Sequence, residues 1–172
     1  MNVISKMRET LLTPISRIEA ERLINYAGEV PRFKEEVERI INLPSDRRTE
    51  EQRIEDAFRG ITIQYACKII WNIEHHNNIY QDLQGQVSLD GVTLQDTTEI
   101  KTIQRRKDLQ KVFSSMSWNN FENKGIDAPS NLVIWFYKDG IYYPFQILKR
   151  KIKETDEFTL IKEYKWPNLN MR

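Results

Sequence analysis

Apolar positions recur at two different periods along this chain, and the change of period divides it. Over the first 43 residues, Ile15, Ile18, Leu23 and Ile24, then Phe33, Val37, Ile40 and Ile41, return at roughly helical spacing with charged residues between them. Pro14 and Pro31 suit helix starts and Gly28 suits a break, so two helices are predicted, closed by Leu43-Pro44-Ser45. Thr49 is a plausible N-cap with Gln52 three residues on. From there the stripe Ile54, Phe58, Ile61, Tyr65 and Ile69 predicts a long helix to about Ile73, with His75-His76-Asn77-Asn78 as its exit. Gly60 inside that helix costs about 1 kcal/mol relative to alanine, which points to close backbone packing there.

The period then falls to two. Gln86–Leu89 and Val92–Gln95 flank Asp90-Gly91, a strong two-residue hairpin signal, within a hairpin running from about Tyr80 to Ile103. Asp108–Phe113 reads as a short helix, and Ser114–Ser130 as a long polar connection holding Trp118, Asn119, Asn120 and Phe121. Asn131–Lys138 is an apolar run of buried-strand type, turned at Asp139-Gly140 into Ile141–Leu148. Pro144 demands an edge position or a bulge there. A turn near Thr155-Asp156 leads to a last strand, Phe158–Trp166. The class is α+β: a mixed central β-sheet flanked by helices, with an N-terminal helical segment. Residues 1–172 read as a single domain, 1–44 helical and 45–172 the core.

The hairpin fixes a register. If Asp90-Gly91 is the turn, Leu89 pairs with Val92, Val87 with Leu94, Gln86 with Gln95 and, further out, Asp82 with Glu99. Asp82, Glu99 and Lys101 then project from the face opposite Val87, Leu89, Val92 and Leu94. Directly paired residues have Cβ atoms roughly 4.5–5.5 Å apart. Two carboxylates and an amine at that spacing suit a hard divalent cation and a water. A bulge in the outer rungs would shift the pairing. Acid-x-lysine also occurs at Glu122-Asn123-Lys124 and Glu163-Tyr164-Lys165, but the first of these lies in the polar connection. The second is expected to face Leu148 rather than an acid. Asp90 is the fallback for Asp82, although turn chemistry alone explains it, and Asp96 falls on the other face.

Composition narrows the picture less. The charge of +1 carries no nucleic-acid signature, yet a site rich in carboxylates can be neutral overall and basic only around its cleft. Cys67 is the one cysteine, in an apolar segment, so buried filler in a reducing, cytoplasmic protein is expected. No apolar run reaches the ~18 residues that span a bilayer, and the N-terminus lacks the apolar stretch of a signal peptide. Adjacent His75 and His76 diverge by about 100° on a helix and make a poor joint ligand set.

Tyr80-Gln81-Asp82-Leu83-Gln84-Gly85, then Thr98-Glu99-Ile100-Lys101-Thr102, resembles the PD-(D/E)xK nuclease superfamily, and most of all its type II restriction endonucleases. The order also matches over about residues 49–148: long helix, Asp strand, Glu-x-Lys strand, helix, apolar strand. Gln81 stands where the family has proline. The resemblance implies a restriction-endonuclease-like core that hydrolyses double-stranded DNA with Mg²⁺. It implies Asp82, Glu99 and the Ile100 carbonyl as metal ligands, and Lys101 as the residue orienting the water. A glutamate on the preceding helix, Glu55 or else Glu51, is expected to approach them. Arg105, Arg106 and Lys107 are candidates to hold phosphates beside the scissile bond, though a solvated helix start explains them equally. Ser117, Asn119 and Asn120 are candidates for reading bases, and Lys149 and Arg150 for backbone phosphate. Palindromic sites imply a homodimer, with residues 1–44 as its contact region, and a cognate methyltransferase from a separate gene. The alternatives are a homing or junction-resolving nuclease on the same core, and a non-catalytic DNA-binding or interaction protein.

Overall fold

The long helix begins at its predicted cap. Thr49 N donates to Gln52 Oε1 at 3.1 Å and Gln52 N to Thr49 Oγ1 at 3.2 Å, so two N-terminal amides are satisfied reciprocally. The computed structural model describes residues 12–42, 48–71, 97–123, 125, 128–152 and 155–165, with the backbone of four two-residue strands between 74 and 93. The helices are α1 (Arg17–Tyr26), α2 (Val30–Ile41), α3 (Glu50–Trp71), α4 (Asp108–Ser115) and α5 (Trp118–Glu122). The strands are β1 (Ile15–Ser16), β2 (Glu74–His75), β3 (Leu83–Gln84), β4 (Ser88–Leu89), β5 (Val92–Thr93), β6 (Thr98–Ile103), β7 (Asn131–Lys138), β8 (Ile141–Arg150) and β9 (Phe158–Glu163). The α+β class predicted from the sequence is the one found. No helix among the described residues is long and apolar enough to cross a membrane.

The sheet runs β1-β8-β7-β6-β3-β2, with β9 also on β8. β6 and β7 are parallel over six rungs, Thr98↔Asn131 to Ile103↔Phe136, and the other pairs are antiparallel. Alternation along these strands sorts the core into two layers. Ile100, Val133 and Trp135 meet Ile63, Ala66, Cys67 and Ile70 of α3. On the other face Ile103, Leu132, Ile134 and Phe136 meet Val112, Met116 and Phe121. A third cluster joins α1, α2 and α3 through Ile24, Phe33, Val37, Ile61 and Tyr65. Burial pushes the Cys67 thiol well above its ordinary pKa, consistent with a packing role.

The register of the hairpin is seen where its backbone is described. Leu89 pairs with Val92 and Ser88 with Thr93 in a small separate ladder. Leu83 pairs with Thr98 in the main sheet. All three are rungs that a turn at Asp90-Gly91 requires. The Asp139-Gly140 turn has φ of +50° and +78°, the primed geometry that joins β7 tightly to β8. Pro144 sits at a bulge, where the β7–β8 register shifts between Ile134 and Trp135.

Five expectations are corrected. The connection Ser114–Ser130 contains α5, because Met116, Phe121 and Ala128 bury themselves against the sheet. β1 was not foreseen, since a two-residue strand held by Tyr142 and Ile141 leaves no periodicity. The last strand ends at Glu163, and Glu163 opposes Gln146 rather than Leu148, because the register shifts between Ile147 and Leu148. His75 belongs to β2, not to a helix exit. Gly60 is not a close-packing site: a Cβ built on it meets nothing within 4 Å. Gly60→Ala is therefore expected to stabilise the protein by about 0.5–1 kcal/mol, read as a higher urea midpoint with unchanged slope.

Candidate functional site

Strand alternation puts Glu99, Lys101 and Ile103 on the α4 side of β6, with Ile100 turned toward α3. Glu99 is 2% exposed and Lys101 31%, with Lys101 Nζ 3.8 Å from Glu99 Oε1. The carboxylate is thus held inside the sheet while its amine reaches the surface. Ile100 O accepts a hydrogen bond from Gln64 Nε2 at 3.2 Å, which ties the middle of the motif to α3. A carbonyl oxygen has a second lone pair, so this bond leaves it able to take a cation as well. Asp82, expected across from Glu99, lies outside the described residues, as does the fallback Asp90. The nearest described rung is Leu83↔Thr98, one position short of the predicted pair.

Beside the motif lies a cleft between the first half of α3 and α4, with Ile100, Lys101 and Thr102 of β6 between them. It comprises two hollows, of about 450 and 590 Å³, that share Arg48, Asp56, Arg59, Thr102, Lys111 and Val112. Its charged lining is Arg48, Arg53, Arg59, Lys101, Arg105 and Lys111 against Asp56 and Asp108. Six cations against two carboxylates leave a surplus of four, in a chain whose total is +1. The basic character expected only near a cleft is concentrated here.

The residues proposed from sequence are distributed unevenly around this centre. Glu55 turns away from the cleft and pairs with Arg17 at 2.6 Å and Arg59 at 3.7 Å. Its neighbour Asp56 faces the cleft instead, because a step of one residue rotates a helix by about 100°. Glu51, the alternative helix glutamate, is exposed. Arg105 lines the cleft and pairs with Asp108 at 3.3 Å. Arg106 lies 5.7 Å from the centre of the Phe145 ring, and Lys107 is exposed at the start of α4. Ser117 Oγ accepts from Asn120 N, and Asn120 Nδ2 donates to Ser115 O at 3.0 Å, so both hold the start of α5. Asn119 is left exposed, as is Lys149 on β8.

Arg150 is a correction. It was expected among the phosphate contacts, but its side chain is only 2% exposed. It donates to Pro129 O at 3.2 Å, Thr155 O at 2.6 Å and Met116 O at 2.7 Å, with its guanidinium 4.6 Å from the Phe158 ring centre. Burial lowers its pKa, and Asp156 opposes that shift. Arg150 therefore ties three chain segments together rather than meeting a ligand.

Sequence reasoning missed Arg53, Asp56, Arg59, Gln64 and Lys111. One signal was present: Gln64 interrupts the apolar run Ile61 to Ile70, and Arg53, Asp56, Gly60 and Gln64 follow the helical period along one face. No family model, no curated protein and no solved structure matches the chain.

Loss of Arg150 removes the side-chain donors that reach the carbonyls of Met116, Pro129 and Thr155. Arg150→Met is expected to lower the unfolding free energy by about 3 kcal/mol or more, checked by urea denaturation.

Proposed function

We propose that the protein is a Mg²⁺-dependent endonuclease acting on double-stranded DNA, of the type II restriction class. The observation that carries this reading is the Glu99–Lys101 pair, 3.8 Å apart on one face of β6 at the border of a strongly basic cleft. The order of elements supports it: α3, then antiparallel β2, β3 and β6, then α4 and the parallel strand β7. That is the order expected of a PD-(D/E)xK core. The donor set suits the metal, since Glu99 and the Ile100 carbonyl offer hard oxygen ligands, and Mg²⁺ takes few protein ligands beside water and phosphate oxygens. Asp82 is the proposed second carboxylate.

Bound Mg²⁺ supplies charge neutralisation at the scissile phosphate. Glu99 holds its carboxylate in a fixed position because the strand and its burial leave it little freedom. Lys101 Nζ, at the surface end of the pair, orients the attacking water and donates to the phosphate oxygen that gains charge. Gln64 holds the Ile100 carbonyl from the α3 side. The cationic cleft draws the phosphate backbone toward these groups. Exposed Ile18 and Tyr26 on α1 offer apolar surface for the proposed homodimer contact through the N-terminal helices. The cytoplasm, with a cognate methyltransferase protecting host DNA, is the setting such an activity needs.

A second reading is favoured by the same pair: Lys101 as the counter-ion of a buried Glu99 in a non-catalytic nucleic-acid-binding protein. Incubation of a sequenced plasmid with Mg²⁺ separates them. Discrete fragments are expected, while preference for branched substrates would indicate a resolving enzyme and intact plasmid the binding protein. Asp82→Ala, Glu99→Ala and Lys101→Ala are each expected to slow cutting by about 10²-fold or more while DNA binding stays measurable. Wild-type rates in the Asp82 and Glu99 variants would remove the assigned site.

A further inference from the structure

We infer that the α3–α4 cleft, which borders the Glu99–Lys101 centre and shares Lys101 with it, is a docking site for a nucleic-acid phosphate, and that Asp56 occupies it as a built-in counter-ion. Asp56 accepts from two arginines at once, Arg48 Nη1 at 2.8 Å and Arg59 Nη2 at 2.5 Å. One carboxylate oxygen meets each guanidinium, the arrangement two oxygens of a phosphodiester also present. Across the cleft Lys111, exposed on α4, makes no ion pair with the described residues.

Uncommitted polar atoms point to a ligand as well. Among the described residues, Arg53 Nε, Thr102 Oγ1 and Gln64 Oε1 are buried atoms of the cleft lining without a hydrogen-bond partner, and Gln64 is 8% exposed. Buried polar groups are seldom left so, and three in one hollow is a concentration. Arg53 Nε and the Thr102 hydroxyl are donors suited to phosphate oxygens, and Gln64 Oε1 is an acceptor suited to a bridging water. Gly60 lies on the same helix face between Asp56 and Gln64, with open space where a side chain would begin. A backbone can therefore approach α3 closely at that point.

Displacement follows from the charges. A phosphodiester entering the cleft competes with Asp56 for Arg48 and Arg59, and Lys111 adds an attraction the carboxylate does not use. The choice of nucleic acid as the anion rests on the nuclease reading. The clamp itself is testable without any cleavage.

The test measures affinity for a short fluorescein-labelled DNA duplex by anisotropy, in EDTA, across a salt series. Asp56→Asn is expected to bind about threefold tighter or more, because the internal competitor is gone. Glu35→Gln, the same charge change on the exposed surface of α2, is expected to change little. Arg48→Ala and Lys111→Ala are each expected to weaken binding about threefold or more and to reduce the salt slope by about one. Weaker binding by Asp56→Asn, equality with Glu35→Gln, indifference to Lys111→Ala, or no duplex binding at all would each overturn the clamp. A wild-type protein that binds in this pattern but never cuts with Mg²⁺ would remove the nuclease reading and leave the clamp standing. One that cuts while the cleft variants bind normally would do the reverse.

Discussion

Six rungs of parallel pairing between β6 and β7 decide how the rest of the molecule is arranged. β7 is buried on both faces, so its alternating side chains need cover above and below. α3 supplies one cover and α4 with α5 the other. Two consecutive parallel strands cannot be joined by a tight turn, and the chain between Ile103 and Asn131 must cross over the sheet. That crossover carries α4 and α5, and it brings Lys111 to face α3 across Lys101. The cleft is thus a consequence of the strand pairing. The same pairing fixes which face Glu99 and Lys101 share, because a slip of one residue would put Ile100 in their place.

Two buried charges show how the sheet uses ionic groups. Arg150 is enclosed, yet its donors reach three main-chain carbonyls and its planar face lies on Phe158. Enclosing a cation is tolerable only with such compensation. Its partners belong to the α4–α5 junction, the approach to β7 and the turn before β9, so the charge acts as a joint for the crossover. Glu99 is enclosed to a similar degree, and Lys101, 3.8 Å from its carboxylate, leads to solvent. A carboxylate buried beside a surface-reaching amine is the arrangement a reactive centre needs.

Much of this was legible in the chain. The α3 capping box, the Asp139-Gly140 turn, the Pro144 bulge and the Leu89↔Val92 register each follow from local chemistry, which a short stretch of sequence carries in full. What stayed hidden depends on partners distant in sequence. Arg150 stands between Lys149 and Lys151 in a basic stretch, and only the convergence of residues 116, 129 and 155 shows that it is interior. Glu55 and Asp56 are adjacent acids on one helix, and choosing between them requires knowing which face of α3 meets β6. β1 needs β8 to exist at all. The Asp82 rung stays a deduction from register, carried outward from Leu83↔Thr98.

The cleft resolves an apparent conflict between net charge and proposed ligand. A chain of charge +1 is a poor polyanion binder if its charges are spread evenly. Here six cations converge on one trough, and their mutual repulsion would disfavour the folded state without an internal offset. Asp56 provides that offset between the two arginines, and Asp108 provides it for Arg105. Both carboxylates are partly accessible, so water can solvate them when a stronger anion takes their partners. A deeply buried aspartate could not be displaced in this way, because it would be left charged in a poor solvent. Partial exposure is therefore what lets one pair of carboxylates stabilise the empty cleft and still yield it.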